Sequence, residues 1–227
     1  TPATFEADVR ALLSRGYTTI QTAELIAYVE RGEPLPDKPV MLTFDDGHLN
    51  TLTYALPILE KLNAKAVVSV VGAYADEAEQ RHDPNPQYSY MDWEELAVLR
   101  DSGRFEILSH SYGMHQNGNR KGVLRKRGEA LAAYREVLTG DTERMQALLA
   151  ARLGLTPQTY TYPYGFVDGD AEQFLRQMGF KATLSCFEHV NRITRDPRCL
   201  FSLGRFNRSA GSSTEAFVRR LETSAAK

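Results

Sequence analysis

Short runs rich in β-branched residues alternate with segments of helical period along the whole chain, and no other property of this sequence restricts its fold as much. Thr18 to Ile20, Val40 to Phe44, Ala66 to Val71, Phe105 to Ser109, Thr159 to Tyr162, Ala182 to Cys186 and Leu200 to Phe206 read as strands. Between them, Phe5, Val9, Leu12 and Leu13 make an i, i+4, i+7, i+8 stripe, and Asp92-Trp93-Glu94-Glu95 has the form of a capped helix start. A longer helical pattern runs from Glu129 to Leu153, where Gly140-Asp141 is expected to kink or divide it. Asn50 to Leu62 repeats the pattern, with Pro57 predicting a bend. Asp76 to Tyr90 and Gln116 to Gly128 read as long loops.

Strand, helix, strand in repetition implies right-handed crossovers and a mostly parallel α/β sheet, open or closed into a barrel, in one domain over residues 1–227. In either layout reactive side chains gather at the C-terminal ends of the strands.

Twenty-seven Lys and Arg against twenty-nine Asp and Glu leave a net charge of -2, so nothing in the balance favours a nucleic-acid or anionic-membrane partner. No apolar run approaches the roughly 20 residues of a bilayer span. The chain begins Thr1-Pro2-Ala3 without an initiator methionine or a leader, as a mature or N-terminally trimmed chain would. Cys186 and Cys199 are too few to indicate a redox compartment.

Three motifs fall just past strand ends. In Thr43-Phe44-Asp45-Asp46-Gly47, adjacent carboxylates can divide labour, one binding a cation and the other taking a proton; the plainer reading is an Asp-Gly turn. In Ser109-His110-Ser111-Tyr112-Gly113-Met114-His115, histidines five apart would point about 140° apart on a helix, so they converge only if the segment is a loop. With a carboxylate they form a three-ligand set suited to zinc or a similar divalent ion; otherwise they are hydrogen-bonded loop histidines. Tyr162-Pro163-Tyr164-Gly165 is either a rigid aromatic turn or a turn offering a backbone N–H to a developing oxyanion.

In this order and at these separations, the three motifs resemble the polysaccharide deacetylase family, carbohydrate esterase family 4, also called the NodB homology domain. The flanks Met91 to Glu106 and Leu175 to Gly179 are similar to the family's spacer helices. The resemblance implies a distorted (β/α) barrel of about seven mostly parallel strands and an amide deacetylase dependent on a divalent metal, zinc first, then cobalt, nickel or manganese. By matching position, Asp45 is the general base, Asp46, His110 and His115 are the metal ligands, Ser111 buttresses the metal loop, and the N–H of Tyr164 helps hold the oxyanion. The five-residue histidine step resembles the branch acting on poly-N-acetylglucosamine.

Two departures stand out. Where the family often has an Arg that orients the base, this chain has Thr161, and where it has a late Leu-x-His, this chain has Leu203-Gly204-Arg205. The general acid is then His189, just past a strand end, or a residue upstream of Thr1. Arg205 and Arg208 either bind substrate oxygens, pair with Asp45, or form surface ion pairs. His48, Tyr162, Pro163 and Arg205 make up the expected substrate contacts. His82 reads as structural, and Trp93 reads as a core residue. Arg120-Lys121 and Arg125-Lys126-Arg127 read as a solvated loop, with attraction of an anionic wall polymer as the sharper alternative.

The expected function is removal of N-acetyl groups from a β-linked N-acetylglucosamine polymer of cell wall or exopolysaccharide. The partner is that polysaccharide, the chain acts as a monomer, and the location is extracellular or at the cell surface, with any signal or anchor segment outside this chain. The alternatives are an O-acetyl esterase of xylan type and a non-catalytic carbohydrate-binding module on the same fold.

Overall fold

The computed structural model of the protein describes residues 1–225. Helices and strands alternate as the sequence pattern requires. In chain order they are α1 (Pro2–Ser14), β1 (Thr18–Thr19), α2 (Thr22–Arg31), β2 (Pro39–Val40), β3 (Thr43–Phe44), α3 (Leu56–Lys61), β4 (Ala66–Val70), α4 (Gly72–Arg81), α5 (Trp93–Asp101), β5 (Phe105–Ser109), α6 (Leu131–Leu153), β6 (Thr159–Thr161), α7 (Gly169–Gln177), β7 (Ala182–Leu184) and α8 (Thr214–Ala225). Strands β3 to β7 pair in chain order, all parallel, and β1 pairs with β2 beside them. The result is a curled, incomplete (β/α) barrel.

The core forms because the central strands are apolar on both faces, which a parallel sheet covered on both sides demands. Ala66, Val68, Val70, Phe105 and Ile107 pack against residues of α1, α3, α5 and α6, whereas Val67 and Leu108 pack with Ile20, Leu25, Ile26, Val29 and Leu184. The alternation along each strand assigns the two sets to opposite faces. A third cluster packs Tyr160 and Tyr162 with Tyr134 and Leu138 of α6 and Phe174 and Leu175 of α7. Among the described residues no helix is long and apolar enough to cross a membrane.

Several expectations are corrected. The run Val40 to Phe44 divides, because Val40 pairs with β1 while Thr43 and Phe44 pair with β4. Leu200 to Phe206 is not a strand: a short 3-10 turn over Pro197–Leu200 leads to a single parallel bridge, Leu184 to Leu203. The first half of the Asp76 to Tyr90 loop continues α4 to Arg81. Gly140-Asp141 does not divide α6, which runs unbroken for 23 residues. The bend near Pro57 takes the form of a π-helical turn, Thr51–Ala55, ahead of α3. Pro57 follows directly in α3, and the π turn is where the regular i to i-4 ladder, which Pro57 cannot continue, gives way. Asp92 and Glu95 make the expected reciprocal cap of α5, and Trp93 is buried behind it.

The C-terminal ends of the strands lie along one edge, so the segments after Phe44, Ser109, Thr161 and Leu184 converge there. The last segment is tied down at two points, one at that edge and one on α1. Ser185 N–H donates to Leu203 O at 2.8 Å, and the Arg208 guanidinium donates to buried Asp8 of α1 at 2.7 Å. Arg208 is therefore an internal tether.

Candidate metal and hydrolytic centre

Asp45 and Asp46 meet different partners just past the end of β3, where the backbone turns over. Asp46 has φ 69° and Gly47 φ 81°, in the left-handed region that Asp tolerates and Gly prefers. A Cβ on Gly47 would stand 3.1 Å from Val70 Cγ1, so the close approach to β4 favours glycine as well.

The Asp46 side meets the histidines. His110, at the end of β5, is buried, and its Nδ1 lies 2.7 Å from Thr161 O. A carbonyl only accepts, so Nδ1 carries the proton and Nε2 keeps its lone pair. That Nε2 lies 3.5 Å from Asp46 Oδ1, and His115 Nε2 lies 3.1 Å from the same oxygen. Asp46 Oδ1 is buried and accepts no hydrogen bond.

Three donor atoms around one point, one of them a buried oxygen without a donor, fit a divalent cation, and ligand atoms of all three residues lie within 4.8 Å of one another. Two ligands about 2.0–2.1 Å from a tetrahedral ion stand about 3.3–3.4 Å apart, close to the two spacings here. Burial pushes the Asp46 carboxyl upward, but His115, His48 and His110 facing it hold it well below the usual carboxylate range. Burial lowers the His110 pKa against the pull of Asp45, which favours the neutral ligand form.

The Asp45 side meets Arg205. The guanidinium takes the carboxylate in a fork, Nη1 to Oδ1 at 2.8 Å and Nη2 to Oδ2 at 2.9 Å, while its Nε donates to Ser185 O at 2.7 Å. Arg205 thus supplies the cation that Thr161 does not; Thr161 instead shares a hydrogen bond with Ser69 at 2.6 Å. The Cys186 thiol lies 3.5 Å from the same guanidinium, and both cysteines are unbonded.

The Pro163–Gly165 segment is a 3-10 turn in which Tyr164 has φ 57°. Its ring, 44% exposed, lies over His115 with centroids 4.4 Å apart. Gly165 has no room for a side chain: a Cβ would fall 2.4 Å from Cys186 Cβ. Tyr162 and Pro163 are buried, Tyr162 packing edge-on to Tyr160, so their side chains support the turn from inside instead of facing a polymer. Ser111 is buried at φ 72°, and its Oγ has no hydrogen-bond partner.

His48 stacks on Tyr90 at 4.6 Å and brings Nε2 to 3.7 Å from Asp46 Oδ2, on the rim of the cation position. His189 is exposed, with its ring against the backbone of Gly204, and makes no hydrogen bond to Asp45 among the described residues. His82 ends α4 in the left-handed conformation, a structural place.

Sequence reasoning missed Tyr74 and Tyr90. Tyr74 OH lies 3.1 Å from His115 Nδ1, and the two tyrosine rings stack at 4.3 Å. Neither belongs to a motif, and Tyr90 is brought beside the site by an antiparallel bridge to His48. Asp141, read only as a helix breaker, accepts the N–H groups of Tyr112 and Gly113.

The polysaccharide deacetylase family model matches residues 32–183, which contain all three motifs. The chain belongs to the polysaccharide deacetylase family. It is similar to the poly-beta-1,6-N-acetyl-D-glucosamine N-deacetylase of Escherichia coli strain K12, 28% identical over 188 residues that cover 74% of this chain. The chain spans 28% of that relative's length. Among solved structures, IcaB from Ammonifex degensii aligns with TM-score 0.76 at 26% identity, over 92% of this chain and 84% of that one. The BpsB deacetylase domain from Bordetella bronchiseptica aligns with TM-score 0.68 at 27% identity, over 79% and 75%.

Proposed function

We propose that this chain is a metal-dependent hydrolase that removes N-acetyl groups from a β-linked N-acetylglucosamine polymer, working as a monomer outside the cytoplasm. The observation that carries the proposal is the juxtaposition of the Asp46, His110 and His115 donor set with an Asp45 carboxylate clamped by Arg205. The relative named for poly-beta-1,6-N-acetyl-D-glucosamine supports the choice of glycan, and the size of such a polymer supports the location.

Asp46, His110 and His115 would hold the ion, zinc before cobalt, nickel or manganese, and it supplies Lewis acidity to an amide carbonyl and to water. Asp45 takes the proton of the attacking water. The Arg205 fork uses one lone pair on each carboxylate oxygen and leaves the others free for that proton. The N–H of Tyr164 donates to the oxygen that gains charge as water adds to the carbonyl carbon. The C–N bond then breaks, acetate departs, and His189 protonates the leaving amine. His48 and the Tyr164 ring contact the sugar at the rim.

The test is acetate release from N-acetylglucosamine oligomers by chelator-stripped protein reloaded with zinc, cobalt, nickel or manganese. Release that returns with metal is expected. Release from acetylated xylan alone would move the reading to an O-acetyl esterase, and glycan binding with no release from either would move it to a binding module.

Arg205→Met tests the clamp. Without the fork the Asp45 carboxylate rotates freely, and a misplacement of roughly 1 Å costs about 100-fold in rate. Acetate release falls on that scale while zinc affinity is unchanged, because Arg205 touches no member of the donor trio. Arg205→Lys recovers part of the rate, since it restores the charge but not the bidentate geometry.

A further inference from the structure

The segment that carries both histidines makes local hydrogen bonds only at its end, from Gln116 to Met114 O and Gly113 O. Its polar groups are taken up by two helices on either side. Gly72 N–H of α4 donates to Ser111 O at 3.1 Å, and Ala73 N–H donates to Tyr112 O at 2.9 Å. From the other side, the Asp141 carboxylate of α6 accepts Tyr112 N–H at 2.9 Å through Oδ1 and Gly113 N–H at 2.7 Å through Oδ2. Backbone groups withdrawn from water must find such partners, and here each flanking helix supplies one kind. The loop has no slack in that position. A Cβ on Gly72 would lie 2.7 Å from both the Tyr112 ring and Met145 Sδ, and one on Gly113 would touch Asp141 Oδ2 at 3.6 Å.

Asp141 is an unusual residue for its place. It follows Gly140 in mid-helix, where both residue types are poor helix formers, yet α6 continues through them. It lies three residues after Leu138 and four before Met145, on the stripe where α6 is buried. A carboxylate on an apolar face is costly unless donors meet it, and the two N–H groups of the histidine loop do so. Two successive N–H groups converging on one anion form a backbone nest, and in this chain the anion is its own side chain.

We propose that Asp141 is a positioning residue for the cation site: by holding Tyr112 and Gly113 it sets the left-handed turn at Ser111 that brings His115 round to face Asp46 alongside His110. A five-residue histidine step needs such a device, because a free loop of that length leaves the direction of the second imidazole undetermined. The inference rests on reading Asp46, His110 and His115 as a cation site, and it goes beyond that reading by assigning a residue 26 positions past His115 to its construction.

The test is zinc affinity by chelator competition on the full chain, with thermal unfolding of each zinc-free variant alongside. In Asp141→Ala, affinity falls about 10–100-fold, the scale of losing an outer partner of a ligand. Asp141→Asn fills the same volume and keeps one of the two acceptors, so it shows a smaller loss of affinity, and its zinc-free melting temperature falls only in part because the NH2 opposes the second N–H. Asp141→Asn also serves if the alanine variant does not fold. In either folded variant, the Tyr112 and Gly113 amides exchange with solvent faster than in the parent protein. Parent-like zinc affinity in both variants, or in Asp141→Asn alone if Asp141→Ala does not fold, would overturn the proposal and leave the cation site standing. Failure of the parent protein to bind zinc, or binding that survives His115→Ala, would overturn the cation site and the proposal with it.

Discussion

Asp45→Asn lowers acetate release from N-acetylglucosamine oligomers by about three orders of magnitude, within the range of about 10²–10⁴-fold that a positioned acid or base contributes. The substitution keeps the shape of the side chain, and one amide oxygen still accepts from Arg205 while the NH2 opposes the other guanidinium nitrogen. What it removes is the capacity to take a proton. Zinc affinity serves as the control: Asp46, His110 and His115 are untouched, and Asp45 faces Arg205 at 2.8 and 2.9 Å. Loss of release with unchanged zinc affinity is the expected pattern, accompanied by a lower melting temperature because the amide NH2 meets the second Arg205 nitrogen donor to donor. Parent-like release would remove Asp45 from the reaction.

Replacing the two histidines gives effects that are equal on zinc but unequal on the fold. Either His110→Ala or His115→Ala lowers zinc affinity by more than the about 10–100-fold that an outer partner is worth, because a ligand atom itself is gone. Only His110→Ala also destabilises the metal-free protein. His110 is 1% exposed and its Nδ1–H satisfies Thr161 O at 2.7 Å. Truncation leaves that carbonyl buried without a donor, at a cost of roughly 1–3 kcal/mol. His115 has its Nδ1 beside Tyr74 OH, and that hydroxyl also donates to His115 O, so the hydroxyl keeps a partner in the alanine variant. Urea unfolding of the two metal-free variants should separate them by that margin.

The donor trio was legible because few side chains suit a divalent ion, and because Asp46, His110 and His115 each follow a strand that ends on the same edge of a parallel sheet. The family resemblance added their roles. The partner of Asp45 was legible only as one of three alternatives for Arg205. Base and arginine are 160 residues apart, and Leu200 to Phe206, read as a strand, is instead a bridge at Leu203 followed by irregular chain. That irregular path lets Arg205 turn its guanidinium back to Ser185 O and Asp45.

The aromatic side of the site was illegible for a related reason. Tyr74 lies on α4 and Tyr90 on the loop that returns to His48, and neither segment carries a pattern that marks a site. Tyr162 and Pro163, expected to meet substrate, are interior, since β6 aims the Tyr162 ring at Tyr160 and the α6 and α7 side chains. Asp141 gave a misleading signal, because propensity scores an interior Gly-Asp pair as a break, whereas tertiary contacts make the Asp a bonded part of the packed face.

By itself, the sequence determined the alternation of strand and helix, the parallel sheet it compels, and the chemistry available at three strand ends. Those properties follow from local periodicity and from the identity of donor atoms, which need no partner to be read. Only the tertiary structure decided which cation holds Asp45, which helices clamp the histidine loop, and which aromatic rings line the site. Each of these is a pairing between segments remote in the chain, set by how the curled sheet brings its edges and loops together.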